Sequence, residues 1–222
     1  TFPKISRLAA EQNPEGFAAC VRDGLRSALT IVIPFAAAAL ILTGEGVSIV
    51  YTRGAFTPDD ARATAAALRP MLAVMPLFVV NELLSRVFYS QNLVRVPMYA
   101  ALCGIIANFC VGLALIRAGV FGIASVGAAN AAGQTVSALV LLGFAAVRIK
   151  GLLSRGLALD IVKLLCGGAA VFALCFVISR LIGGDPYASG MLDNIIRAVI
   201  IFLPPAAIYL IYVKVIKIQF GK

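Results

Sequence analysis

The stretch AGVFGIASVGAANAAGQTVSALVLLGFAAV, residues 118–147, runs without one charged side chain. Roughly 20 apolar helical residues are enough to cross a hydrocarbon core about 30 Å thick, and this stretch exceeds that. The same pattern extends outward from it. Arg95 and Arg117 bracket an uncharged run from Val96 to Ile116, and Arg26 and Glu45 bracket another from Ser27 to Gly44. The apolar pattern places spans at 27–51, 67–89, 97–116, 123–147, 160–182 and 192–213. The expected fold class is therefore all-α, a polytopic transmembrane helix bundle with six spans.

Composition agrees. Hydrophobic residues make up 61% and charged residues 13% of the chain, against about half and a quarter in soluble domains. Six spans of about 20–25 residues account for most of the 222 residues and leave no sizeable soluble domain. The net charge of +9 would point to nucleic acid in a soluble protein. Here it reads as basic loops facing the cytoplasm and anionic headgroups, with no nucleic-acid partner. The chain has no histidine, which removes histidine triads, histidine metal sites and histidine proton relays. The cysteines are Cys20, Cys103, Cys110, Cys166 and Cys175; none forms a CxxC pair, and four lie in apolar stretches where cysteine acts as a small hydrophobe. No metal, cofactor or redox role is expected. With no nucleophile–base or acid–base pair in view, an enzyme is the weakest reading. The chain opens at Thr1 with no signal-peptide pattern and is read as the C-terminal part of a longer polypeptide.

Local signals refine the spans. Residues 7–26 read as an amphipathic connector, with Leu8, Phe17, Val21 and Leu25 against Arg7, Glu11, Arg22, Asp23 and Arg26; either an interfacial helix or a solvated one fits. Pro34, Pro70, Pro76 and the Pro204-Pro205 pair predict kinks or breaks. Thr57-Pro58-Asp59-Asp60 is a helix start: a cap, a proline suited to the first position, and acids at the positive end. Glu82 and Arg86, at i and i+4, are either a local ion pair or face a cavity. Asn108 is either glue between helices or a ligand for an ion or substrate. The strip Gly127 to Gly133 admits a close neighbour. Close packing alone would not require the amides Asn130 and Gln134, which are candidates to line a cavity together with Ser125 and Thr135.

Charge sets the orientation. With the N-terminal connector inside, 13 Lys and Arg fall on inside segments and 6 on outside ones, so both ends of the chain are expected in the cytoplasm.

Several segments then resemble one family. Phe2-Pro3-Lys4-Ile5-Ser6-Arg7-Leu8-Ala9-Ala10 is similar to the FPxLSRLAA segment of the MurJ/MviN lipid II flippases. Arg53-Gly54-Ala55-Phe56-Thr57 resembles their RGAFT loop, Leu84 to Ser90 their LSRAFYA, and Gln91 to Pro97 the segment that follows. Order and spacing match over residues 1–150, whereas the last two spans match in position and hydropathy. RGAFT and SRxFY together are fairly specific.

The resemblance implies helices nine to fourteen of a fourteen-helix flippase of the multidrug/oligosaccharidyl-lipid/polysaccharide exporter group. Residues 1–26 would be a cytoplasmic loop and connector, 27–150 four helices of the C-terminal transporter lobe, and 151–222 two additional helices and a basic tail. It implies a bacterial inner-membrane protein that flips the undecaprenyl-pyrophosphate-linked peptidoglycan precursor, lipid II, by alternating access without covalent chemistry. Its partners would be that lipid, membrane lipids and the N-terminal lobe of the same polypeptide, and transport would couple to a cation gradient or the membrane potential. Arg86 matches the family arginine. Asn108 matches a cation ligand of some members. Gly112 stands where those members have an acid, and Glu82 where many have lysine. The rival readings are an exporter of another lipid-linked polysaccharide or a drug, and a non-transporting scaffold of cell-wall assembly.

Overall fold

A computed structural model of the chain describes residues 14–51, 54–120 and 122–215. Among the described residues the secondary structure is helical throughout: α1 (Pro14–Ile41), α2 (Thr43–Tyr51), α3 (Pro58–Ala73), α4 (Met75–Ser90), α5 (Arg95–Arg117), α6 (Ile123–Arg148), α7 (Arg155–Ile182) and α8 (Met191–Val215). Five of these are long and apolar enough to cross a membrane. The pair α3–α4, bent through 53°, brings the number to six where it is counted as one span.

The connector and the first span form one continuous helix from Pro14. α1 runs unbroken through Arg26 because the connector's apolar face is also the core face. Phe17, Val21, Leu25, Leu29 and Ile33 repeat every fourth residue and are all buried. The polar side of the connector is used as well. Arg26 Nη2 lies 2.6 Å from Asp160 of α7, and Arg22 donates to the carbonyl of Gly151.

The break falls at Leu42 instead of at Pro34. The Thr43 hydroxyl donates to the Ala39 and Leu40 carbonyls at 2.7 and 3.0 Å, and α2 then turns off. Its Gly44 lies against Pro186, which a Cβ would meet at 2.9 Å.

α3 begins where the cap predicts, at Pro58 rather than at residue 67. Thr57 and Asp60 form a reciprocal capping box, Asp60 N–H donating to the Thr57 hydroxyl and Thr57 N–H to the Asp60 carboxylate at 2.9 Å. The bend comes at Val74, two residues before Pro76. That proline cannot donate to the Leu72 carbonyl, and the last helical bond of α3 runs from the Val74 N–H to the Pro70 carbonyl at 3.3 Å.

The expected break at Pro204-Pro205 does not occur; α8 continues as one helix. A neighbouring helix supplies what Pro205 takes away. Pro205 frees the Ile201 carbonyl, and the Cys175 thiol of α7 donates to it at 3.6 Å. Pro34 likewise frees the Thr30 carbonyl of α1, and the Tyr209 hydroxyl of α8 donates to it at 2.9 Å. Gly167 and Gly168 of α7 make room: a Cβ at Gly167 would meet Tyr212 at 2.7 Å, and one at Gly168 would meet Ile33 at 2.4 Å.

The helices form three layers. α5 and α6 are a hairpin that packs on α3 and α4; α7 and α8 are a hairpin that packs on α1 and α2; among the described residues no helix backbone of one hairpin packs closely on the other. The main core lies between α1, α4, α6, α7 and α8. Much of the remaining apolar surface points outward, as on α5, where Ile105, Ile106 and Phe109 are exposed. This is the surface a bilayer covers.

The α7–α8 connection is strapped down. Arg62 of α3 reaches Asp185 at 2.8 Å and Asp59 at 3.0 Å, and its guanidinium lies over the Tyr187 ring. The Tyr187 N–H, and then the Arg62 guanidinium, hold the Asp185 carboxyl below the usual carboxylate range.

Two outcomes follow from these contacts. Tyr209→Phe should lower unfolding stability by about 1–3 kcal/mol by leaving the Thr30 carbonyl without its donor. The loss should largely vanish in a Pro34→Ala background, where the restored amide serves that carbonyl; equal losses in both backgrounds, read by thermal unfolding in detergent, would refute the assignment. For Asp185 the folded carboxyl is the stronger acid. Its contribution is therefore present above the usual carboxylate range and lost as pH falls through the lowered value. The gap in unfolding midpoint between the native protein and Asp185→Asn should close on acidification.

Candidate functional site

One close helix approach in the bundle is also where the polar residues gather. Gly104 of α5 and Gly133 of α6 face each other. A Cβ on Gly104 would lie 2.8 Å from the Gly133 carbonyl oxygen, and one on Gly133 2.7 Å from that of Gly104. Gly127, at the other end of the strip, is pressed harder still on the Ala67 backbone of α3. The small-residue strip seen in the sequence thus serves two different neighbours at once.

Beside the glycine contact opens a crevice of about 210 Å³, lined by Asn81 of α4, Asn108 of α5, and Asn130, Gln134 and Ser137 of α6. The spacing explains the grouping. Asn130, Gln134 and Ser137 fall at i, i+4 and i+7 on one face of α6, and Asn108 is one turn beyond Gly104 on α5. Asn108 lies about 20 Å along α5 from Arg95, well inside the hydrocarbon.

Ser137 donates to Asn81 Oδ1 at 3.3 Å. No charged side chain lines the crevice. The arrangement therefore offers neutral amide donors and acceptors in an apolar wall. Such groups can hydrogen-bond sugar hydroxyls and peptide amides, or partly replace the hydration of a monovalent cation.

Three sequence candidates, Asn108, Asn130 and Gln134, are brought together here. Ser125 is not; its hydroxyl donates to the Gly122 carbonyl at 2.7 Å in the turn before α6. Thr135 turns back on its own helix, donating to Ala131. Asn81 and Ser137 escaped the sequence reading. Ser137 continues the Asn130–Gln134 face by one turn, a legible signal. Asn81 was hidden beside the more conspicuous Glu82.

Glu82 and Arg86 do not line the crevice. They are exposed on another face of α4, with Arg86 Nε and Nη2 donating to one Glu82 oxygen at 2.9 and 2.7 Å. Gly112 presents its backbone to Ala129, and no carboxylate stands near Asn108 at that turn.

Most of the family-motif loop shapes the entry to α3. Gly54 takes a positive φ of 63°. Phe56 stacks near Tyr51 at 5.8 Å and packs on a small cluster of Val47, Ala61 and Ala65. Thr57 caps the helix. Arg53 lies outside the described residues.

Comparison with known proteins places this geometry. The family model described as lipid II flippase MurJ matches residues 1–188. A probable lipid II flippase MurJ of Rickettsia prowazekii is 26% identical over 115 residues, 52% of this chain and 23% of that protein. The Bdellovibrio bacteriovorus protein of the same description is 25% identical over 142 residues, 64% of this chain and 27% of its own length. The chain thus matches about a quarter of the length of these relatives. A solved structure titled lipid II flippase MurJ, inward closed conformation, superposes with a TM-score of 0.73 at 20% identity, covering 96% of this chain and 41% of that one. That likeness shows the fold. The family is one of transporters rather than enzymes, and its members here are multi-pass membrane proteins. With the family model covering most of its length, this chain belongs to the lipid II flippase MurJ family.

Proposed function

We propose that the chain is the C-terminal part of a transporter that flips lipid II across the bacterial cytoplasmic membrane by alternating access. The observation that carries this reading is the amide crevice: hydrogen-bonding groups left open within the hydrocarbon, in a member of a family described as lipid II flippases. Such groups are costly in lipid unless something is there to meet them. Lipid II offers sugar hydroxyls and peptide amides of the matching kind. Asn108, Asn130 and Gln134 act in this reading as neutral contacts to the substrate's polar part. Asn108 doubles as the cation candidate. With no carboxylate in the crevice, its oxygens would ease a cation's passage rather than hold it, and the driving force would be a cation gradient or the membrane potential.

Arg86 and Glu82 face outward from this chain, where the N-terminal lobe of the same polypeptide would stand. Both ends of the chain would be cytoplasmic, following the distribution of Lys and Arg.

The test is rescue of a bacterium depleted of its own lipid II flippase, using the complete gene product. The native protein should rescue. An Asn108→Leu, Gln134→Leu variant at equal membrane abundance should fall at least about tenfold in plating efficiency, a loss of the order of one good hydrogen bond. Its thermal stability should hold, since neither amide gives up a protein hydrogen bond. Asn194→Leu is the contrast. That amide is buried and donates to Pro186 O at 2.8 Å, so its removal should cost about 1–3 kcal/mol of stability. Full rescue by the double variant would remove the crevice from transport. Failure of a well-inserted native protein would point to a different lipid-linked substrate or to a scaffold.

A further inference from the structure

A second and larger cavity, about 450 Å³, opens at the end of the bundle under the α7–α8 connection. Three guanidinium groups line it, Arg69 of α3, Arg180 of α7 and Arg197 of α8, against one carboxylate, Glu45 of α2. One of the three is committed. Arg197 Nη2 lies 3.5 Å from Glu45 Oε1, and the same guanidinium donates to the carbonyls of Gly183 and Gly184. Glu45 is 3% exposed, so this pair forms a buried wall rather than an open charge. Arg197 Nε in that wall has no hydrogen-bond partner among the described residues.

Arg69 and Arg180 keep their charge. Both are exposed at the rim, and neither has an ion pair among the described residues. Arg180 is oriented without being neutralised, its guanidinium 5.1 Å from the centre of the Phe176 ring. Two arginines without ion-pair partners among the described residues open on one cavity and offer guanidinium donors to an anion, for which phosphate is a well-matched ligand.

Position narrows the source of that phosphate. Arg180 is in the last turn of α7 and Arg197 about 9 Å into α8, which puts the cavity near the boundary of headgroups and hydrocarbon. Phe172, Phe176 and Arg180 fall at i, i+4 and i+8 on one face of α7, and both aromatic rings are exposed. An apolar lane therefore descends directly from the cationic rim. A soluble anion has no use for it; an acyl chain does.

We propose that this cavity binds the phosphate of an anionic phospholipid, with Arg69 and Arg180 as its ligands and the Phe172–Phe176 lane taking an acyl chain. The site lies apart from the amide crevice and does not depend on which lipid is transported.

The experiment is lipid retention by the protein purified in detergent, read by native mass spectrometry with phosphatidylglycerol or phosphatidylcholine added at equal mole fraction. The native protein should hold phosphatidylglycerol preferentially. Arg69→Ala with Arg180→Ala should weaken it about thirtyfold, while the paired Lys replacements retain part of the preference. Arg95→Ala with Arg155→Ala, exposed residues near the opposite end, should leave it unchanged. Equal retention of the two lipids would overturn the proposal, as would undiminished binding by the Arg69, Arg180 double variant. So would an equal loss in the Arg95, Arg155 control, which would mark a general charge effect. Displacement of the lipid by millimolar inorganic phosphate would overturn the lipid assignment in favour of a plain anion site.

Discussion

A carbonyl freed by proline inside a membrane has no water to turn to, and the middle of this bundle is arranged around that constraint. Pro34 and Pro205 each remove a backbone donor in an apolar helix. The orphaned carbonyls of Thr30 and Ile201 are met by Tyr209 and Cys175, side chains from neighbouring helices. Each bond therefore does two jobs, satisfying a backbone group and tying one helix to another. Together they link α1, α7 and α8. The glycines at 167 and 168 are part of the same solution, because a tyrosine hydroxyl can reach another helix's backbone only if its ring can lie flat against the helix between.

How much of this was legible in the sequence divides along physical lines. The capping box at Thr57–Asp60 depends on four consecutive residues and was readable in full. The glycine-rich strip of α6 was readable as a surface for close approach, although the identity of its neighbours, Gly104 and Ala67, was not. The continuity of the connector with the first span was hidden. Hydropathy counts the charges at Arg22, Asp23 and Arg26 as an end, yet those charges sit on one face and are met by Asp160 and the Gly151 carbonyl. The apolar face beneath them never stops. The fate of the prolines was also hidden. The sequence says which carbonyls are freed, but only the tertiary arrangement says that a donor stands within reach and that no break is needed.

The site was legible in proportion to its periodicity. Asn130 and Gln134 lie one turn apart on a face that is otherwise small and apolar, so amides there had no evident packing purpose. Asn81 drew no notice because its neighbour Glu82 carried the charge. Structurally the order is reversed. The charged pair closes on itself at the surface, and the uncharged Asn81 turns inward to accept from Ser137. In a low-dielectric interior this is the cheaper arrangement, since leaving an amide half-satisfied costs far less than leaving a charge unpaired.

Polar chemistry is thus sorted by depth. Fixed charges are paired near the ends of the spans, Arg26 with Asp160 at one end and Arg197 with Glu45 toward the other, while the crevice between α4, α5 and α6 is neutral. The layers reinforce the division. Between the α5–α6 and α7–α8 hairpins stands a central layer of α1, α3 and α4, and the connection 149–154, with Ile149 and Leu152 buried, joins the two hairpins directly. That central layer contains the one span bent by 53°, at Val74, where a proline has already removed a hydrogen bond from the ladder. The bend between α3 and α4 and the neutral crevice therefore share one element, α4, whose Asn81 lines the crevice.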